Sequence, residues 1–82
     1  MYWKLGNDIF DEMNISFVQN NNFVNIVLTK HEPDYTFLTQ KTYDLIEVDD
    51  EGNEHLIITV SRDQIIKSVI NGVTHITIYY FI

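Results

Sequence analysis

Eighty-two residues without a Pro/Gly/Ser-rich linker make one domain over residues 1–82, small enough that its core must be thin. The absence of cysteine excludes a disulfide scaffold, a thiolate zinc module and a cysteine nucleophile. Twelve acidic against five basic residues give a formal charge of −7, which disfavours direct contact with nucleic acid or an anionic membrane and favours a basic partner.

At the start of the chain, Met1-Tyr2-Trp3-Lys4-Leu5-Gly6 lacks the apolar run of a signal peptide. No later stretch reaches the roughly 20 apolar residues that span a bilayer, so the expected address is the cytoplasm. Asn7 can cap a short helix through Met13, with Ile9, Phe10 and Met13 on one face. Ile15 to Gln19 and Phe23 to Lys30 read as a strand pair around Asn20-Asn21-Asn22, because Asn tolerates positive φ. His31-Glu32-Pro33-Asp34 is a turn, and Tyr35 to Leu38 can begin another extended segment.

Tyr43 to Val48 and His55 to Val60 flank Asp49-Asp50-Glu51-Gly52-Asn53 as a hairpin. Ser61-Arg62-Asp63-Gln64 has the form of a capping box, and Ile65, Ile66, Val69 and Ile70 follow at helical spacing before Asn71-Gly72, so a second helix is expected there. Val73 to Ile82 carries no Asp, Glu, Lys or Arg and reads as an inner strand with both faces covered. The expected fold is α+β, a small and mostly antiparallel sheet of about five strands with one or two short helices packed on one face.

No pattern of residues points to catalysis, a metal or a cofactor. His31, His55 and His75 lack ligand spacing, and Pro33 breaks the helix that a zinc motif starting at His31 would need. With Gly52 at the sixth position of a calcium loop, the twelfth is Ile58 where a bidentate carboxylate is required. The three glycines are isolated, so no phosphate-cradling loop is present. The expected class is a non-enzymatic binding protein.

Two features invite a partner. Asp44, Glu47, Asp49, Asp50, Glu51 and Glu54 lie in one stretch without a Lys or Arg, and on a hairpin they would make a negative ridge suited to a groove that tracks phosphates. The C-terminal strand carries Tyr79 and Phe81 on its second face, which needs cover from Tyr2 and Trp3, a second copy or a target. A very small, acidic, cysteine-free chain rich in Asn, Ile and Tyr resembles, in composition, phage- or virus-encoded inhibitors such as anti-CRISPR proteins and other nucleic-acid mimics. The first expectation is therefore an inhibitor that blocks a basic, nucleic-acid-binding surface of a host protein through residues 44–54. The alternative is a homodimeric structural or regulatory protein assembled through the aromatic C-terminal strand.

Overall fold

The computed structural model describes residues 1–18 and 22–81. Its strands are β1 (Tyr2–Leu5), β2 (Asp8–Phe10), β3 (Glu12–Val18), β4 (Phe23–Lys30), β5 (Thr42–Val48), β6 (Glu54–Ser61), β7 (Ile65–Ile70) and β8 (Val73–Phe81). They form two antiparallel sheets in the orders β2-β1-β5-β6 and β3-β4-β8-β7. The chain passes from one sheet to the other three times, once through residues 31–41 between β4 and β5 and twice at tight corners. One is Asp11, between β2 and β3, and the other is a single 3₁₀ turn at Arg62–Gln64, between β6 and β7. Strands that change sheet at a bend in this way let two small sheets share one core.

Period-2 alternation decides what each strand buries. On β4, Val24, Ile26 and Leu28 point inward, and on β8 Thr74, Ile76 and Ile78 do the same. The opposite sheet contributes Leu5, Phe10, Tyr43, Leu45 and Val60, and Ile65 enters from β7. These apolar residues form one contiguous cluster, with Trp3, Met13, Leu38, Ile58 and Tyr80 packed around it.

The α+β expectation is overturned, because both expected helices are strands. Residues 65–70 pair along their whole length with residues 73–78 of β8, from Ile65 opposite Ile78 to Ile70 opposite Val73. Asn71 and Gly72 both have positive φ, 52° and 77°, as a two-residue type I′ hairpin requires. They join strands rather than stop a helix. At the other end, Gly6-Asn7 is a hairpin turn between β1 and β2, with Gly6 at φ 60° and Leu5 opposite Asp8. A Cβ on Gly6 would also lie 3.1 Å from the Tyr43 ring.

Of the expected strands, 23–30 falls on β4, and 43–48 and 55–60 fall within β5 and β6. Residues 12–18 form β3; Gln19, Asn20 and Asn21 of the first expected hairpin lie outside the described residues, as does Ile82. The segment 35–38 is not a strand but part of an irregular connection over residues 31–41. β8 is internal, with β4 and β7 on its two sides, yet only Thr74, Ile76 and Ile78 of its even-numbered face are fully buried.

The capping pattern at Ser61 survives in reduced form. Gln64 Oε1 accepts from the Ser61 backbone N–H at 2.9 Å and from its hydroxyl at 3.3 Å, which pins the 3₁₀ corner. Gln64→Ala removes both bonds and is expected to cost about 1 kcal/mol, whereas Ser61→Ala removes only the longer one and costs less. Urea denaturation of the two variants checks the order.

Candidate functional site

The β5–β6 hairpin distributes its six acids over three places. Asp44 and Glu54 face outward from the sheet, since Asp44 lies between the buried Tyr43 and Leu45 and Glu54 reaches Lys4 at 2.7 Å. Glu47 sits on the opposite side, in register with Trp3 and His55. The turn brings together Asp49, Asp50 and Glu51. The ridge is thus concentrated at the hairpin tip, and a register shift at Leu45/Ile46 separates the tip from Asp44.

Asp49 holds the turn. Its Oδ1 accepts the backbone N–H groups of Asn53 at 2.9 Å and Glu51 at 3.0 Å, and its Oδ2 lies 3.3 Å from His55 Nε2. These bonds, the one from Asn53 foremost, lower its pKa and keep it ionised. Asp50 pairs with the amino group of Met1, but its side chain is 85 % exposed and the pair is exchangeable. Thr59 donates its hydroxyl to Asp44 at 2.6 Å.

Charge is segregated along the molecule. Lys30 and Lys67 both bond Asp34, Arg62 donates to Thr39 O and, through its backbone, to Lys41 O, and Lys41 adjoins β5. Four of the five Lys/Arg residues therefore gather around the 31–41 connection, and only Lys4 meets the hairpin's six acids. The hairpin turn lies at the far end of β5, about 20 Å away at the usual rise of a strand.

The four aromatic residues expected at an interface are not brought together. Tyr2 and Trp3 belong to β1 and pair with Val48 and Glu47, in the sheet that β8 does not join. Trp3 is half-buried and its indole N–H has no partner among the described residues. The cover near Tyr79 and Phe81 is Phe23 on the adjacent strand, with ring centroids 5.6 Å and 5.0 Å away.

A further feature has no periodicity to announce it. Residues 31–41 are braced from below: Asp34 accepts from Lys30 Nζ at 2.8 Å, Lys67 Nζ lies 3.0 Å away, and the Asp34 N–H donates to Thr74 Oγ1 at 2.9 Å. The Thr74 hydroxyl in turn donates to Glu32 O at 2.7 Å. On this fixed base Tyr35 is 78 % and Phe37 is 90 % exposed. Between the loop and β7 lies an open groove of about 380 Å³ lined by Tyr35, Phe37, Leu38, Lys67 and Val69. The sequence signal was available in the pairing of aromatic residues with a Pro-containing turn, but only the structure shows that they face outward.

Among the described residues no three His, Asp or Glu side chains gather as a metal site would need, and no helix is long and apolar enough to cross a membrane. Compared with family models, curated proteins and solved structures, the chain matches none.

Proposed function

We propose that the protein is a non-enzymatic binder of a basic protein surface, of the kind that normally holds nucleic acid, and that it blocks this surface with the tip of the β5–β6 hairpin. The observation that carries the reading is charge segregation: six carboxylates sit on one hairpin against Lys4 and the Met1 amino group, while the other four Lys/Arg residues cluster at the opposite end. A field with this polarity orients an approaching cationic surface and speeds association. The turn is fixed by its own bonds to Asp49, so little ordering is needed on binding. A homodimer through the C-terminal strand is the weaker reading, since β8 has neighbours on both sides and offers a second copy only side chains.

Asp49 is a poor test residue because it holds the turn, so the informative variant is Asp50→Asn with Glu51→Gln. It is expected to keep the wild-type melting point and to lose about fivefold to tenfold in affinity for a captured basic target at low salt, less at physiological salt. The measurement is capture from nuclease-treated lysate followed by titration with the purified target, with added nucleic acid as competitor. Equal affinity of both proteins at both salt levels overturns the reading.

A further inference from the structure

We propose that a second copy of this chain pairs antiparallel along the free edge of β3, with the two Ile15 residues opposite one another, to make a continuous eight-stranded sheet. Among the described residues β3 ends its sheet and pairs on one side only, with β4, so alternate backbone N–H and C=O groups of its other side face outward. Natural edges are blunted by shortness, bulges, Lys, Pro or a covering segment. The other edges have such devices: β2 has three residues, β6 faces a register shift, and β7 lies beneath the 34–38 loop, whose Thr36 carbonyl accepts from Lys67 Nζ at 2.8 Å. Among the described residues β3 has none of them. Its register with β4 runs unbroken from Glu12 to Val18, and the strand contains no Lys, Arg, Pro or Gly.

The side chains select the occupant. Ile15 and Phe17 lie on the core side of their sheet, in register with the buried Ile26 and Val24, yet they are 49 % and 66 % exposed. Antiparallel pairing centred on Ile15 sets Ile15 beside its own copy, Met13 beside Phe17 and Asn14 beside Ser16. The apolar residues of both copies then share one face, and no charge falls within the paired segment 13–17. The single charge of the strand, Glu12, is drawn aside by His31 at 2.9 Å. A strand of another protein would need a matching uncharged sequence, whereas the second copy carries it by symmetry. Strand edge and exposed side chains offer roughly 300–400 Å² per copy, which places the dimer in the weak, reversible class.

Two chains of charge −7 repel, so salt strengthens this dimer, whereas salt weakens binding through the hairpin tip. The two ideas therefore fail separately. Sedimentation equilibrium is expected to show a monomer–dimer equilibrium that shifts toward dimer as salt rises, and Phe17→Glu to weaken it by about tenfold or more. The register is tested by cysteine, since the chain contains none. Directly opposed strand residues have Cα atoms about 4.5–5.5 Å apart, within disulfide reach, so Ile15→Cys should cross-link under mild oxidation about tenfold faster than Ser16→Cys, whose copies lie out of register. A monomer at about millimolar concentration in high salt, or cross-linking at position 15 no faster than at position 16, overturns the proposal.

Discussion

Phe10→Ala is expected to leave the protein largely unfolded at physiological temperature. Phe10 is only 1 % exposed although it closes β2, a three-residue edge strand that has little besides this side chain to hold it in place. Truncating a buried Phe costs about 3–5 kcal/mol, lost transfer and residual cavity together. Lys30 Nζ also lies 5.2 Å from the ring centroid, a cation–π contact that adds about 0.5–1 kcal/mol. Domains of this size are stable by only about 5 kcal/mol or a little more, so the loss is of the same order as the whole. In a thermal melt followed by circular dichroism the midpoint should fall by about 15–40 °C, at roughly 4–8 °C per kcal/mol. Phe81→Ala serves as the control, because the same truncation on an exposed ring should move the midpoint by only a few degrees, about 1 kcal/mol or less. A small shift for Phe10→Ala would mean that β2 is not part of the cooperative core.

The contrast between Phe10 and Phe81 marks where the sequence was readable. Strict alternation fixed β4, and the acid-rich turn fixed the β5–β6 hairpin, because a period of two and a run of turn residues have few other solutions. At residues 65–70 two periods competed. Ile65, Ile66, Val69 and Ile70 satisfy helical spacing, but the run has six residues and its apolar members are all β-branched, which favours a strand. The deciding signal is Asn71-Gly72, which suits a helix stop but between β-branched runs is the strongest short-range mark of a hairpin. Gly6-Asn7 is ambiguous in the same way, since Asn7 suits a helix cap as well as a hairpin turn. With both segments extended, no helix is left to cover a sheet face among the described residues. The cover is a second sheet, which is why the apolar content of the C-terminal strand does not require two buried faces.

The acidic stretch was legible as charge but not as shape. A strand sends neighbouring residues to opposite faces, so an unbroken run of acids cannot make a one-sided ridge unless the turn gathers them, as it does for Asp49, Asp50 and Glu51. The aromatic residues beside the Pro33 turn are visible in the sequence, but the bracing of their loop is not. Its supports, Lys30, Lys67 and Thr74, come from three different strands and meet Asp34 only once both hairpins have formed.

Asp34→Ala should accordingly have the second-largest effect, although no catalytic or partner contact is assigned to it. Its side chain is 13 % exposed and lies between Lys30 and Lys67, themselves 10 % and 12 % exposed. Removing it leaves two ammonium groups with little water and no counter-charge. Breaking a fully buried pair from one side costs about 3–5 kcal/mol, so about 2–4 kcal/mol is expected at this partly wet site. Asp34→Asn should cost less, because its amide oxygen still accepts from the Thr36 N–H and hydroxyl, which lie 3.0 Å and 2.6 Å from Oδ1. The pH dependence separates charge from packing. The Lys30 ammonium, followed by the Thr36 bonds, holds the Asp34 carboxyl well below the ordinary carboxylate range. A folded pKa below the unfolded value means that the group's contribution is complete above the unfolded pKa, about 3.9, and is lost progressively as pH falls below it. Urea denaturation at about pH 7 and pH 3 should therefore show wild type losing more stability over that interval than Asp34→Asn. Loss of the brace should also free the loop, so cleavage by chymotrypsin after Tyr35 or Phe37 should accelerate in Asp34→Ala under conditions where the rest of the domain remains folded. Equal acid sensitivity of wild type and Asp34→Asn, with unchanged cleavage in Asp34→Ala, would mean that the two lysines are solvated and that the loop is held by Thr74 alone.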